Sequence, residues 1–150
     1  LLAEGVASVR IWNRTQATAR TLAAGVRPYA DGATVHVVEG IADLAGADLW
    51  VQTTTLGMEQ GGRRPDTSPV PAEASSDLLQ DASEVVAVDL VYRPRVTPFL
   101  RAARAAGAHT VDGSGMLLYQ GAVAFEAWTG VPAPVETMRT ALDAALKEAP

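Results

Sequence analysis

Apolar and polar positions follow two rhythms along this chain, and the switches between them mark its elements. Short blocks rich in β-branched and aromatic residues read as strands: Val9-Arg10-Ile11-Trp12, Thr34–Val38, Leu49-Trp50-Val51-Gln52, Val85–Leu90 and Ala108–Val111. Val85–Leu90 is nearly all apolar, the pattern of a strand covered on both faces of a parallel sheet. Between these blocks the spacing becomes helical. Thr15–Ala24 carries Ala19, Leu22 and Ala23 at helical intervals, with Thr15 suited to the N-cap. Ile41–Leu44 predicts a short helix. Thr97–Ala106 predicts another, with Pro98 at its first position and Gly107 closing it. Met116–Trp128 is the longest apolar helix, stopped by Gly130 and Pro132, and Val135–Lys147 forms a terminal one. Residues 59–77, rich in Gly, Pro, Ser and charge, predict a surface loop.

This alternation implies an α/β fold that is Rossmann-like, a mostly parallel sheet with helices on both faces. The amino end, Leu1-Leu2-Ala3-Glu4-Gly5, reads as the last turn of a helix with Gly5 at C′. That start leaves the architecture without its first strand and glycine-rich turn. The expectation is a truncated domain over residues 1–150, lacking upstream sequence, that by itself is poorly soluble or molten.

Composition narrows the function classes. The chain has 150 residues, enough for one domain with a core, and 48% hydrophobic content argues against disorder. A net charge of −5 and a pI near 4.9 provide no basic footprint for nucleic acid. There are no cysteines, and His36 and His109 stand apart from any cluster of metal ligands, so no metal is expected. No apolar run reaches the length of a membrane span, and the amino end has no basic segment of the kind that opens a signal peptide. A soluble, cytoplasmic protein is the expectation.

Candidate chemistry gathers where strands end, the edge at which α/β sheets bind ligands. Asp112-Gly113-Ser114-Gly115-Met116-Leu117-Leu118-Tyr119-Gln120 joins the last strand to the longest helix. Glycines there let the backbone approach a ligand, and the helix start offers free N–H groups. Asn13-Arg14-Thr15 and Asp89-Leu90-Val91-Tyr92 have the same placement. From spacing alone, Arg14 is equally a solvated arginine beside an N-cap, and Gln120 reads also as a glutamine on an exposed helix face. Asp112 reads as orienting the glycine turn, Asp89 as structural, and Phe125 and Trp128 as core.

Taken in order, these segments resemble the carboxyl-terminal, NADP-binding half of the shikimate dehydrogenases. Gln52-Thr53-Thr54-Thr55-Leu56-Gly57-Met58 is similar to that family's strand-end loop, with Gln52 where Asn is usual. Asp89-Leu90-Val91-Tyr92-Arg93-Pro94 with Thr97-Pro98-Phe99-Leu100 is similar to a second motif. Asp112–Leu117 with Gln120, Ala124-Phe125 and Trp128-Thr129-Gly130 is similar to a third. The resemblance implies an enzyme that reduces 3-dehydroshikimate to shikimate with NADPH, in chorismate and aromatic amino-acid synthesis. It implies a cofactor site of Asn13, Arg14, Thr15, Thr18, Thr54, Leu90, Gly113 and Met116. Arg14 would take the 2′-phosphate; Thr54 would face the nicotinamide ribose; Leu90, Gly113 and Met116 would hold the nicotinamide. Tyr92 and Gln120 would touch substrate. Thr18 stands where the family often has Arg or Lys, which implies a weaker preference for NADP. No catalytic residue is expected here, because the family's lysine and aspartate lie in the amino-terminal domain, so the chain alone is expected to be inactive. Two alternatives remain at this stage: an NAD-dependent quinate/shikimate dehydrogenase, and a non-catalytic nucleotide-binding module. Small-molecule substrate is the expected partner, with a homodimer left open.

Overall fold

The computed structural model describes residues 1–59, 66–70, 78 and 82–147. Most of the expected loop at 59–77 lies outside the described residues. The chain divides into two compact units, Leu1–Ala47 and Asp48–Pro150.

In the first unit, β1 (Ser8–Ile11) pairs in parallel with β2 (Thr34–Val37), Ser8 opposite Thr34 and Ile11 opposite Val37. A parallel pair needs a crossover, and α1 (Gln16–Val26) supplies it and packs on β2. The helix buries Ala19 and Ala23, one turn apart. These small residues bring its axis close to the sheet, and that approach leaves the larger Leu22 at the flank, 53% exposed. Ile41–Leu44 forms the expected short helix, as a 3₁₀ turn. Arg10, on β1, closes it by donating to the carbonyls of Asp43 and Ala45, each at 2.8 Å. The amino end is likewise a single 3₁₀ turn, Leu2–Glu4, with Gly5 left-handed behind it as the sequence implies.

In the second unit, β3 (Leu49–Gln52), β4 (Val86–Asp89) and β5 (His109–Val111) form a parallel sheet in the order β3-β4-β5. The five expected strands are all present and all parallel, divided between two ladders. Residues paired across strands share a face. Trp50 and Ala87 therefore lie on one side, as do Gln52 and Asp89, and all four are buried. Leu49 and Val51, on the other side, are more than a third exposed. Between β4 and β5, α2 (Pro98–Ala105) packs against both strands and buries Phe99, Leu100 and Ala103. Thr97 caps it, its hydroxyl accepting from Leu100 N, with Pro98 at the first position.

The last two helices, α3 (Ser114–Thr129) and α4 (Val135–Lys147), pack on each other. The burial along α3 corrects one expectation. The inner face of α3 is set by Leu118 and Ala122, and Trp128 lies about 120° around the helix from Ala122. Trp128 is accordingly 85% exposed rather than core, whereas Phe125 is half-buried. No described helix is long and apolar enough to cross a membrane.

Candidate functional site

The carboxyl ends of β3, β4 and β5 feed three loops of the second unit, and a buried polar relay ties them together. Gln52 and Asp89 face each other in register at the last rung of the β3–β4 ladder. The Gln52 amide donates to the Leu56 carbonyl at 2.9 Å and to Asp89 Oδ1 at 3.3 Å, and its oxygen accepts from the Thr54 N–H. Gln52 thus spans the turn it opens, holding both of its ends. Asp89 Oδ1 also accepts from Val91 N at 2.9 Å, and Oδ2 accepts from the Thr97 hydroxyl at 2.6 Å. Gln52, Asp89 and Thr97 are 5%, 0% and 0% exposed. Burial pushes the Asp89 carboxyl above its ordinary value, and the donors Thr97, Val91 and Gln52 oppose that rise. Asp89 is a structural residue, as the sequence implies. Gly57 completes the arrangement: its φ of +86° suits glycine, and a Cβ there would press on Thr97 at 3.3 Å.

Gly113 is where backbone meets backbone. A Cβ at this position would overlap the Leu90 carbonyl and lie 2.9 Å from the Val91 carbonyl carbon. The Gly113 N–H donates to Val91 O at 3.1 Å. Sequence reasoning gives this glycine to a ligand; in the fold, its missing side chain first lets the last strand turn lie against the 90–92 segment. Leu90 and Gly113, both expected at one ligand, are thereby brought together. Asp112 orients the turn as expected. Its Oδ1 accepts from the N–H of Ser114 at 2.9 Å and from the Ser114 hydroxyl.

One participant has no signal in the sequence. Arg95 donates through Nε to Asp112 Oδ2 at 2.9 Å and through Nη1 to Asp143 Oδ1 of α4 at 3.2 Å. Its partners lie 17 and 48 residues away, so no local pattern could reveal it. Burial raises the Asp112 carboxyl, but Ser114 and Arg95 hold it below its ordinary value on balance. The guanidinium beside Asp112 is raised in turn.

The residues expected at substrate and nicotinamide lie around this framework and are open. Tyr92 is 37% exposed and Met116 49%; Gln120 is exposed as well. Neither Tyr92 nor Gln120 makes a side-chain hydrogen bond among the described residues. Thr54 is exposed, its hydroxyl accepting from Leu56 N at 3.2 Å.

The first unit holds the remaining candidates. Arg14, Thr15 and Thr18 are exposed at the end of β1 and the first turn of α1. Thr15 occupies the N-cap position, but its hydroxyl caps nothing; Asn13 Oδ1 instead accepts from Thr15 N at 2.8 Å. Arg14 has no ion pair or hydrogen bond among the described residues. A cation without an internal partner, beside a helix start with unpaired N–H groups, fits a phosphate on a ribose. Gln16, unremarked in the sequence, anchors the same turn to the end of β2 through the Val38 carbonyl at 3.0 Å. Among the described residues no group of three or more His, Cys, Asp and Glu is placed to hold a metal.

Known proteins align with the chain along nearly its whole length. A family model, the Shikimate 5'-dehydrogenase C-terminal domain, matches residues 113–142. Shikimate dehydrogenase (NADP(+)) of Halobacterium salinarum is 50% identical over 145 residues, covering 97% of this chain and 49% of that protein. The crystal structure of shikimate 5-dehydrogenase from Thermus thermophilus with NADP(H) and shikimate superposes with a TM-score of 0.74 and 36% identity, covering 96% of this chain and 48% of that one. Quinate dehydrogenase from Corynebacterium glutamicum in complex with NAD gives a TM-score of 0.75 at 32% identity, covering 93% and 47%. The chain spans about half the length of the curated relatives it matches.

Proposed function

With this chain placed in the shikimate dehydrogenase family, as the counterpart of its carboxyl-terminal half, we propose that it is the nucleotide-binding part of an NADP-dependent dehydrogenase. The whole polypeptide would interconvert 3-dehydroshikimate and shikimate in the cytoplasmic synthesis of chorismate and aromatic amino acids. The observation that carries this reading is the 50% identity, along 97% of the chain, with a relative named for NADP(+).

NADPH, when bound, supplies the hydride. The residues of this chain hold and orient it. The Arg14 guanidinium pairs with the 2′-phosphate, assisted by Asn13, by the hydroxyls of Thr15 and Thr18 and by the start of α1. Thr54 takes the nicotinamide ribose. The backbones of Leu90 and Gly113 hold the nicotinamide carboxamide, and Met116 flanks its ring. Tyr92 and Gln120 offer a hydroxyl and an amide to the substrate. We assign the proton transfer to a lysine–aspartate pair in a substrate domain outside this chain.

A second reading, an NAD-dependent quinate/shikimate dehydrogenase, draws on Thr18 in a place where a basic residue is common and on the likeness to the NAD-bound quinate enzyme. One substitution separates the two. In the full polypeptide, Arg14→Ala is expected to raise the KM for NADP⁺ about tenfold, the loss of one charge-assisted contact, while leaving that for NAD⁺ unchanged. Equal effects on both cofactors, or a wild-type preference for NAD⁺, would transfer the assignment to the second reading.

A further inference from the structure

Arg95 lies in neither the cofactor set nor the substrate set, yet its hydrogen bonds join the glycine turn to the terminal helix. Its three contacts diverge: Nε to Asp112, Nη1 to Asp143, and Nη2 to the Ser114 hydroxyl at 3.4 Å. The two carboxylates differ in role. Asp143, on α4, is an anchor. Asp112 belongs to the turn itself, and both its oxygens are engaged, Oδ2 by Arg95 and Oδ1 by Ser114. Gly113, the next residue, is pressed against the Leu90 carbonyl and bonded to Val91 O. The peptide between Asp112 and Gly113 is therefore held from two directions: by the 90–92 segment on one side and by Arg95 on the other.

From this geometry we propose that Arg95 is a positioning residue for hydride transfer. It fixes the Asp112–Gly113 turn against α4 and thereby the aim of the nicotinamide, without touching cofactor or substrate. The proposal rests on the reading of Gly113 as the nicotinamide contact. An exposed ion pair contributes little to stability, and the Arg95 side chain is 46% exposed. Its effect is on placement, where a small misalignment of reacting atoms is costly. Lysine cannot replace it, because an ammonium on a flexible stem does not hold two carboxylates and a hydroxyl in a fixed fork.

The test uses the full polypeptide carrying this segment and compares wild type with Arg95→Ala, Arg95→Lys and Asp143→Ala. The readouts are kcat, the KM for NADPH and the primary deuterium isotope effect with NADPH labelled at the transferred hydrogen. Both Arg95 variants are expected to lose about tenfold in kcat, with an isotope effect larger than that of wild type because transfer itself becomes the slow step. Asp143→Ala should move the isotope effect in the same direction by less, since it removes only the anchor. The KM for NADPH should change little, because the adenosine end is held by Arg14. Misfolding of a fraction of the enzyme would lower kcat and leave the isotope effect unchanged. An unchanged isotope effect in both Arg95 variants of an active enzyme overturns the proposal. A wild type that fails to oxidise NADPH with 3-dehydroshikimate overturns the underlying reading instead.

Discussion

Gly113→Ala is expected to destabilise the full polypeptide by about 3 kcal/mol, the upper part of the range for forced overpacking. The atoms a new Cβ would meet are the carbonyl of Leu90 and the carbonyl carbon of Val91. Both belong to backbone at the end of β4, which cannot swing aside as a side chain can. Relief requires the 112–114 turn to lift from the 90–92 segment and break the Gly113–Val91 hydrogen bond. Because the same two segments are proposed to hold the nicotinamide, kcat should fall on the order of a hundredfold in whatever fraction remains folded. Gly115→Ala supplies the control. Nothing lies within 4 Å of a Cβ at Gly115, and that residue is already in α3. Alanine there should leave stability unchanged or raise it, since it replaces glycine in a helix. Urea unfolding of the two variants side by side checks the contrast, and equal stability would show that the close approach at Gly113 is not obligatory.

Asp89→Ala should cost about 3–5 kcal/mol, because three buried donors lose their acceptor together. They are the Val91 N–H, the Thr97 hydroxyl and the Gln52 amide, and the first two have no other acceptor shown. Asp89→Asn keeps an oxygen for Val91 and Gln52 and turns an amide toward Thr97 Oγ, which can accept. It should cost about 1–2 kcal/mol, less than Asp89→Ala, because only the Thr97 hydroxyl, which also accepts from Leu100 N, is left without an acceptor. Acidity separates the two further. The native carboxyl titrates above its unfolded value, chiefly because it is buried. The folded state therefore binds that proton more tightly than the unfolded chain does. The associated stability is fully present below the unfolded value and is lost as pH rises through the folded one. As pH rises above about 4, stability of the wild type should therefore decline relative to that of Asp89→Asn until the folded carboxyl is fully ionised. Asp112 acts with the opposite sign: its lowered carboxyl contributes stability above its unfolded value and loses it as pH falls through the folded one. Urea midpoints taken upward from about pH 4 for Asp89→Asn and downward from it for Asp112→Asn would separate the two slopes, and parallel curves for wild type and Asp89→Asn would refute the assignment to Asp89.

Much of the fold is legible in the sequence because its determinants are local. Val86–Asp89 is a run of apolar residues ended by an acid, Thr97-Pro98 opens a helix, and Gly107 and Gly130 close two. Each of these acts within one turn of its own position. The resemblance, too, rests on short contiguous motifs that survive intact. What escapes depends on distance. Trp128 sits in an apolar run, yet the buried positions of α3, Leu118 and Ala122, lie on another face. Leu22 has the right spacing but the wrong size for a helix seated on alanines. Arg95 reads as one more charge behind Arg93 and Pro94, and only the folding of α4 brings Asp143 to it. Gln52 is visible at the head of its motif, but its reach to Leu56 and Asp89 needs the register of β3 on β4.

The alanine-lined packing of α1 has a consequence for how the first unit breathes. Its buried apolar residues are Ala19, Ala23 and Val35, and its sheet has two strands. A pair of strands closed over so little apolar surface opens at low free-energy cost, so its amides exchange with solvent ahead of those in β4. Arg14 lies at the end of this easily opened element. Any anion it captures is paid for partly in lost motion and returns that cost as protection of β1 and β2, which makes amide exchange there a reporter of occupancy even where no side chain moves.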